Sequence, residues 1–251
     1  MDPANIDRRR GLLLGVSEAS LTVRSMVIAG VFGKLEQRIL STTLKGESTR
    51  LIKAPAQWKT ESAGHFTASF DLLVISGELK INGKKVTPLT YLRIESTNLI
   101  TEFSSLGRVT ALLCADGPLK FDAAVSDASG DVIIGNTYFD DLGSRSLFSY
   151  RLSPVDSPRQ FWLQHWGVND DWQIIEWQSR TTAEESFVLR GSIDVGVLVD
   201  GKEWRNTYNS GGYYSLPPNV PKQSLEIRGK EPCLTIYICP VNSKINTIAT
   251  N

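Results

Sequence analysis

The stretch from Glu184 to Gln223 constrains this chain more than any other. It reads E-E-S-F-V-L-R-G-S-I-D-V-G-V-L-V-D-G-K-E-W and then G-G-Y-Y-S-L-P-P-N-V-P-K-Q. Apolar residues alternate with polar ones between Gly and Pro punctuation, the pattern of short antiparallel strands joined by tight turns. A weaker copy runs from Phe70 to Asn98. Gly77 corresponds to Gly191, and Ile81-Asn82-Gly83-Lys84 to Val199-Asp200-Gly201-Lys202 after a four-residue insertion. Tyr91-Leu92 is matched to Tyr214-Ser215. Asn-Gly and Asp-Gly are strong hairpin signals. One β unit occurring twice predicts an all-β chain with a duplicated barrel.

The remaining sequence fits between and around these copies. Residues 1–37 read as an N-terminal arm, 38–115 as the first barrel, 116–159 as a turn-rich connector, 160–242 as the second barrel and 243–251 as a tail. R-I-L-S-T-T-L-K-G and T-R-L-I-K-A-P look like strands around a Gly-Glu turn, and V-T-A-L-L-C closes the first half. F-W-L-Q-H-W-G-V-N-D-D-W-Q-I-I-E-W-Q-S-R places four of the six Trp in two strands around an Asn-Asp-Asp turn. Lys+Arg and Asp+Glu number 27 each, so no net field recruits nucleic acid or an anionic membrane. The run after Arg8-Arg9-Arg10 breaks at Ser17-Glu18, short for a signal sequence, and Met26–Phe32 is far short of a membrane span. Three cysteines, Cys114, Cys233 and Cys239, lie in or beside apolar runs and read as reduced core thiols. The expected location is the cytoplasm.

At these residues the chain resembles a cupin, and the duplication makes it similar to a bicupin, which implies two tandem jelly-roll barrels. Glu184, six intervening residues and Gly191 fit the end of the first family motif, G-x5-H-x-H-x3/4-E-x6-G. Gly212 and Pro218 fit the second, G-x5-P-x-G-x2-H-x3-N. The family's metal-binding histidines are replaced. Their positions fall on Trp177 and Ser179 (on Gln178 and Arg180 with the shorter spacing) and on Gln223. In the first half the glutamate position is Phe70, with His65 at the second histidine and Ile100 at the third. A divalent transition metal needs three or four converging N, O or S ligands, and the chain holds only two His. The expectation is therefore no metal and no cofactor, and the dioxygenase and decarboxylase activities of metal-bearing bicupins are set aside. The resemblance also implies a homodimer.

Residues at former ligand positions should point into the barrel, because strand side chains alternate faces. For the second barrel this gives a pocket of Trp177, Ser179, Glu184 and Gln223, with Arg180 and Tyr213 or Tyr214 near the rim. Glu184 among aromatic walls would serve as acceptor or general base. In the first half His65 could act as base, oriented by Asp71 and accompanied by Tyr91. There is no nucleophile elbow, P-loop or dinucleotide fingerprint. The function that follows is metal-independent acid/base chemistry on a small aromatic or carbonyl-containing metabolite, of isomerase, lyase or cyclase type. A binding or sensing bicupin without chemistry, and a structural one with filled barrels, are the alternatives.

Overall fold

The computed structural model describes residues 15–43, 45–123, 130–135, 138–140, 147–166, 177–225 and 232–247. These divide into two compact units, one from residues 21–135 and the other from residues 15–20 and 138–247. In each unit a seven-stranded and a five-stranded antiparallel sheet supply most of the strands, and the first adds the pair His65–Phe66 and Phe121–Asp122. In the first, the larger sheet runs Ile133–Ile134, Tyr91–Ile94, Phe70–Ser76, Val109–Ala115, Ser48–Ala54, Leu35–Thr42, Arg24–Met26. In the second it runs Val16–Ser17, Gly212–Leu216, Glu184–Arg190, Cys233–Pro240, Arg159–Trp166, Leu147–Arg151, Tyr138–Asp140.

The duplication holds at the level of individual hydrogen-bonded partners. Phe70–Ser76 and Glu184–Arg190 have the same length and the same succession of buried and exposed positions. Each lies between its equivalent neighbours, and each is interrupted by a bulge at the same place. The pairing with Val109–Ala115 steps from Val74 to Ser76, and that with Cys233–Pro240 from Val188 to Arg190. Gly77 and Gly191 follow these strands with φ of 79° and 78°. Both two-residue hairpins have positive φ at both central residues, Asn82-Gly83 and Asp200-Gly201, which matches the right-handed twist of the flanking strands.

The two glycines are needed for space as well as for φ. A Cβ on Gly77 would collide with the carbonyl oxygen of Arg108, and one on Gly191 would sit 2.9 Å from that of Pro232. Nothing lies within 4 Å of a Cβ on Gly83, whose φ is also positive. Gly77→Ala is therefore expected to destabilise the first unit by about 2–4 kcal/mol, combining backbone strain with overpacking. Gly83→Ala should cost only the strain, about 1–2 kcal/mol. Urea denaturation of the two variants checks the difference, and equal losses would refute the crowding at Gly77.

The strand register corrects one sequence alignment. Tyr91 pairs with Leu73, and Tyr213 pairs with Phe187, the equivalent of Leu73. Tyr91 thus corresponds to Tyr213 rather than Tyr214. A one-residue slip moves a side chain to the opposite face of the sheet, so the shift decides which tyrosine enters the barrel.

Segments outside the predicted barrels also carry strands. Arg24–Met26, Val31–Phe32 and the start of Leu35–Thr42 belong to the sheets of the first unit, although residues 1–37 read as an arm. Val16–Ser17 instead pairs with Gly212-Tyr213 in the second unit. Within 116–159, read as connector, Phe121–Asp122 and Ile133–Ile134 join the first unit, and Tyr138–Asp140 and Leu147–Arg151 the second. Ile245–Thr247, read as tail, pairs with Gln178–Arg180. Most of these pieces are two or three residues long, too short to display a period. The Asn-Asp-Asp turn and Trp172 lie outside the described residues.

Candidate functional site

The interior faces of the two units have opposite chemistry. Inside the first, Phe70, Leu72, Val74, Leu92, Ile94, Ala111 and Leu113 join one apolar core. In the second, Val188, Tyr214, Leu216 and Cys233 form the core, with Trp166 and residues of the facing sheet. Glu184 and Ser186 precede Val188 at a spacing of two and share its face. Glu184 therefore stands where the first unit has Phe70, and it is buried, 3% exposed.

A charged cluster surrounds it. Arg180 Nε forms an ion pair with Glu184 Oε2 at 3.2 Å, and the Tyr237 hydroxyl donates to the same oxygen. Lys222 Nζ stands against Oε1. The Arg180 guanidinium carbon and Lys222 Nζ lie 4.9 and 4.8 Å from the centroid of the Tyr237 ring, within cation–π range. Burial, and then the charge of Glu184, push the Tyr237 phenol well above the ordinary tyrosine value. Burial first, and Glu184 second, do the same to Tyr214. Cys239 belongs to the same electrostatic group, and burial raises its thiol too; Cys233, deeper in the barrel, is pushed up to about 12. The three cysteines are buried and form no disulfide. Both cluster thiols are held as neutral S–H, unsuited to nucleophilic work.

The sequence-predicted residues separate into those the structure gathers at Glu184 and those it does not. Arg180 is at the carboxylate. Tyr214 is on the inner face, its ring 5.1 Å from that of Tyr208. Ser179 is buried in the strand Gln178–Arg180, and Trp177 is half-buried just before it. Gln223 lies in the strand Lys222–Leu225 opposite Gly196, and its side chain is outside the described residues. Tyr213, expected at the rim, points to the other face of the sheet, where its hydroxyl donates to Glu185 Oε2 across 2.7 Å.

Asp71 and Tyr91 repeat that arrangement in the first unit. The Tyr91 hydroxyl donates to Asp71 Oδ1 across 2.6 Å, and Arg93 Nη1 stands 3.1 Å from Oδ2. Arg93 also reaches the partly exposed Glu95 and Asp116, which makes an ion network running from the buried Asp71 to the surface. These positions alternate with Phe70 and Leu72, so Asp71 and Tyr91 face away from the barrel interior. Asp71 is committed to Tyr91 and Arg93, while half-buried His65 sits in a two-stranded pairing opposite Asp122. The expected base with Asp71 as its orienting partner is not what these contacts build.

Three members of the cluster escaped the sequence. Tyr237 and Cys239 lie in C-L-T-I-Y-I-C-P, which reads as a core strand; only its register beside Glu184–Arg190 puts their face at the carboxylate. Lys222 was one residue from the position singled out, Gln223. The carboxylate expected among aromatic walls, with Arg180 nearby, has a cation against each oxygen, the second being Lys222.

No family model and no curated relative matches the sequence. Solved structures match over nearly its whole length. A candidate dioxygenase from Nostoc punctiforme superimposes with a TM-score of 0.73 at 16% identity, over 98% of this chain and 89% of that one. Bacillus subtilis oxalate decarboxylase, an enzyme with Mn(II) centres, does so with 0.65 at 11%, over 97% and 82%. This is the bicupin fold. A third bicupin, the formate complex of Lactobacillus farciminis oxalate decarboxylase, gives 0.66 at 9% identity, over 94% and 88%. At such identities the likeness is one of fold alone. Among the described residues no helix is long and apolar enough to cross a membrane.

Proposed function

We propose that the second barrel is the active site of a metal-independent cupin enzyme, performing acid/base chemistry on a small carbonyl-containing anion. One observation carries this reading: the position held by Glu184 is held by Phe70 in the sibling barrel. The same strand, with the same bulge and the same glycine after it, closes an apolar core without any charge. Burying a carboxylate with two cations costs desolvation that a phenylalanine avoids, so retention of the cluster points to use rather than to folding.

The composition of the cluster supports the substrate class. With Tyr237 and Cys239 neutral, one carboxylate faces two cations, leaving a surplus positive charge that an anionic substrate would balance. Arg180 presents a planar fork suited to a carboxylate, and Lys222 a mobile point charge. As the substrate's negative charge engages them, Glu184 is released to take a proton from the carbon beside the carbonyl. The Tyr237 hydroxyl, neutral because its pKa is raised, donates a hydrogen bond to the developing enolate oxygen. Return of the proton from Glu184 to a different carbon completes an isomerisation; departure of a group on the neighbouring carbon completes an elimination. The stereochemical course and the leaving group belong to the substrate.

The same donor set speaks against the Mn(II) of the oxalate decarboxylases. An ammonium and a guanidinium stand against both oxygens of the one carboxylate, and cations repel a divalent ion rather than ligate it. Among the described residues no three His, Cys, Asp or Glu side chains are placed to hold a metal ion.

Thermal-shift measurements with short mono- and dicarboxylates, keto acids included, test the proposal. At least one keto acid is expected to raise the melting temperature of the wild-type protein. The shift should disappear in Arg180→Met and Lys222→Met. Absence of any shift across the panel, or one unchanged in both variants, would overturn the anionic-substrate reading, as would stoichiometric metal in the purified protein for the metal-independent one.

A further inference from the structure

The hairpin of Ser192–Val199 and Lys202–Asn209 is longer than its counterpart in the first unit, Leu79–Ile81 with Lys84–Val86. Five positions separate Gly77 from Asn82 and nine separate Gly191 from Asp200; eight separate Gly83 from Tyr91 and twelve separate Gly201 from Tyr213. Four residues are thus added on each side of the turn, an even number that keeps both faces in phase. Among the described residues, Lys202–Asn209 is the outermost strand of its five-stranded sheet, and all of it but Tyr208 is exposed. A long sheet edge is a template for another strand, and the first unit keeps the equivalent edge short, with Lys84 and Lys85 exposed on it. The longer edge carries opposite charges, Glu203 ion-paired with Arg205, and between them a Trp204 that is 55% exposed.

We infer that Lys202–Asn209 pairs antiparallel with the same strand of a second copy of this chain, about a two-fold axis at Trp204. Backbone geometry and charge select this register. Val199 and Lys202 close the two-residue turn as a hydrogen-bonded pair, so Lys202, Trp204, Asn206 and Tyr208 turn their amides toward Ser192–Val199. Glu203, Arg205 and Thr207 turn theirs to the open side. Outward residues pair only with outward residues, so the axis must pass through a residue rather than between two. At Glu203 or Arg205 it would set like charges opposite each other, which destabilises. At Asn206 it would oppose Trp204 to the buried Tyr208 and leave the charges unmatched across the seam. An axis at Lys202 or beyond Asn206 leaves most of the strand unpaired. At Trp204 each Glu203 meets the partner's Arg205 in a hydrogen-bonded pair. Trp204 meets the partner's Trp204 in the non-hydrogen-bonded pair, where side chains approach most closely. The same patch serves both copies, so the contact closes on itself as a dimer.

Cross-linking tests the register. In Trp204→Cys the new thiol faces its own copy across about 4.5 Å between Cα atoms, and an intermolecular disulfide is expected under mild oxidation. In Lys202→Cys the two copies of the thiol stand about 13 Å apart along the strands, too far to bridge. The native cysteines are buried and should add no cross-link. In analytical ultracentrifugation the wild type is expected to be a dimer that dissociates on dilution. Arg205→Glu should weaken it by about 2- to 30-fold, because symmetry applies each like-charge contact twice. The exchange Glu203→Arg with Arg205→Glu should restore it. These positions are exposed, so each variant should keep the wild-type circular dichroism spectrum, and the exchange reads the charge pairing even where Arg205→Glu alone unfolds. A wild type that stays monomeric at every concentration, equal cross-linking of Lys202→Cys and Trp204→Cys, or a dimer indifferent to Arg205→Glu would each overturn the inference. So would an exchange that fails to restore the dimer.

Discussion

Glu184→Ala is expected to destabilise the second unit by about 3–5 kcal/mol, the cost of leaving buried cations without their counter-ion. Arg180 and Lys222 have side-chain exposures of only 20% and 14%, so solvent cannot fully replace the lost carboxylate. The informative comparison is the triple variant Glu184→Phe, Arg180→Met, Lys222→Met. It removes the whole cluster and installs the residue that the sibling barrel has at the same place. Replacing a buried ion group by apolar side chains of similar volume is often neutral, or stabilises by about 1–4 kcal/mol. The triple variant should therefore match or exceed the wild type in urea denaturation while losing the thermal response to carboxylates. If it is as unstable as Glu184→Ala, the charges are holding the barrel together, and the case for a catalytic role fails at its central step.

The second large effect is on turnover. With the first substrate that the carboxylate panel yields, Glu184→Gln and Tyr237→Phe should each lower kcat by about 10²–10⁴-fold, the usual contribution of a positioned acid or base. That corresponds to roughly 3–5 kcal/mol of transition-state stabilisation. The two roles are separable by pH. Tyr237 acts as a donor and its pKa lies above the ordinary value of 10.0, so its protonated, active form persists throughout the neutral range. Rate loss from its ionisation should appear only as pH rises above 10, and this alkaline limb should vanish in Tyr237→Phe. An alkaline limb between pH 7 and 9 that depends on Tyr237 would contradict the assignment. Full activity in Glu184→Gln would remove the proposed base.

Much of the architecture could be read locally. Asn82-Gly83 and Asp200-Gly201 announced their hairpins because few residue pairs accept positive φ twice in succession. Gly77 and Gly191 marked equivalent strand ends, and the structure shows why: at each, a neighbouring backbone carbonyl leaves no room for a Cβ. Glu184 and Arg180 were identified from their distance to Gly191. Asp71 and Tyr91 were grouped with His65, and Tyr213 was placed near the rim, although all three side chains face away from the barrel interior. Their strands are buried on both sides, so the sequence lacks the polar phase that would tell inside from outside. The signal of repetition was strong; the signal of orientation was weak.

What the sequence determined by itself was the repeated unit of strand, glycine and hairpin, since each of those features follows from φ preferences and a period of two within a few residues. The tertiary structure alone decided which residues meet. Tyr237 lies 53 positions from Glu184 and reaches it only through the pairing of two strands. Side-chain direction within a doubly buried strand is fixed by that register and by nothing local, so the carboxylate was legible in advance and the phenol, the lysine and the thiol beside it were not.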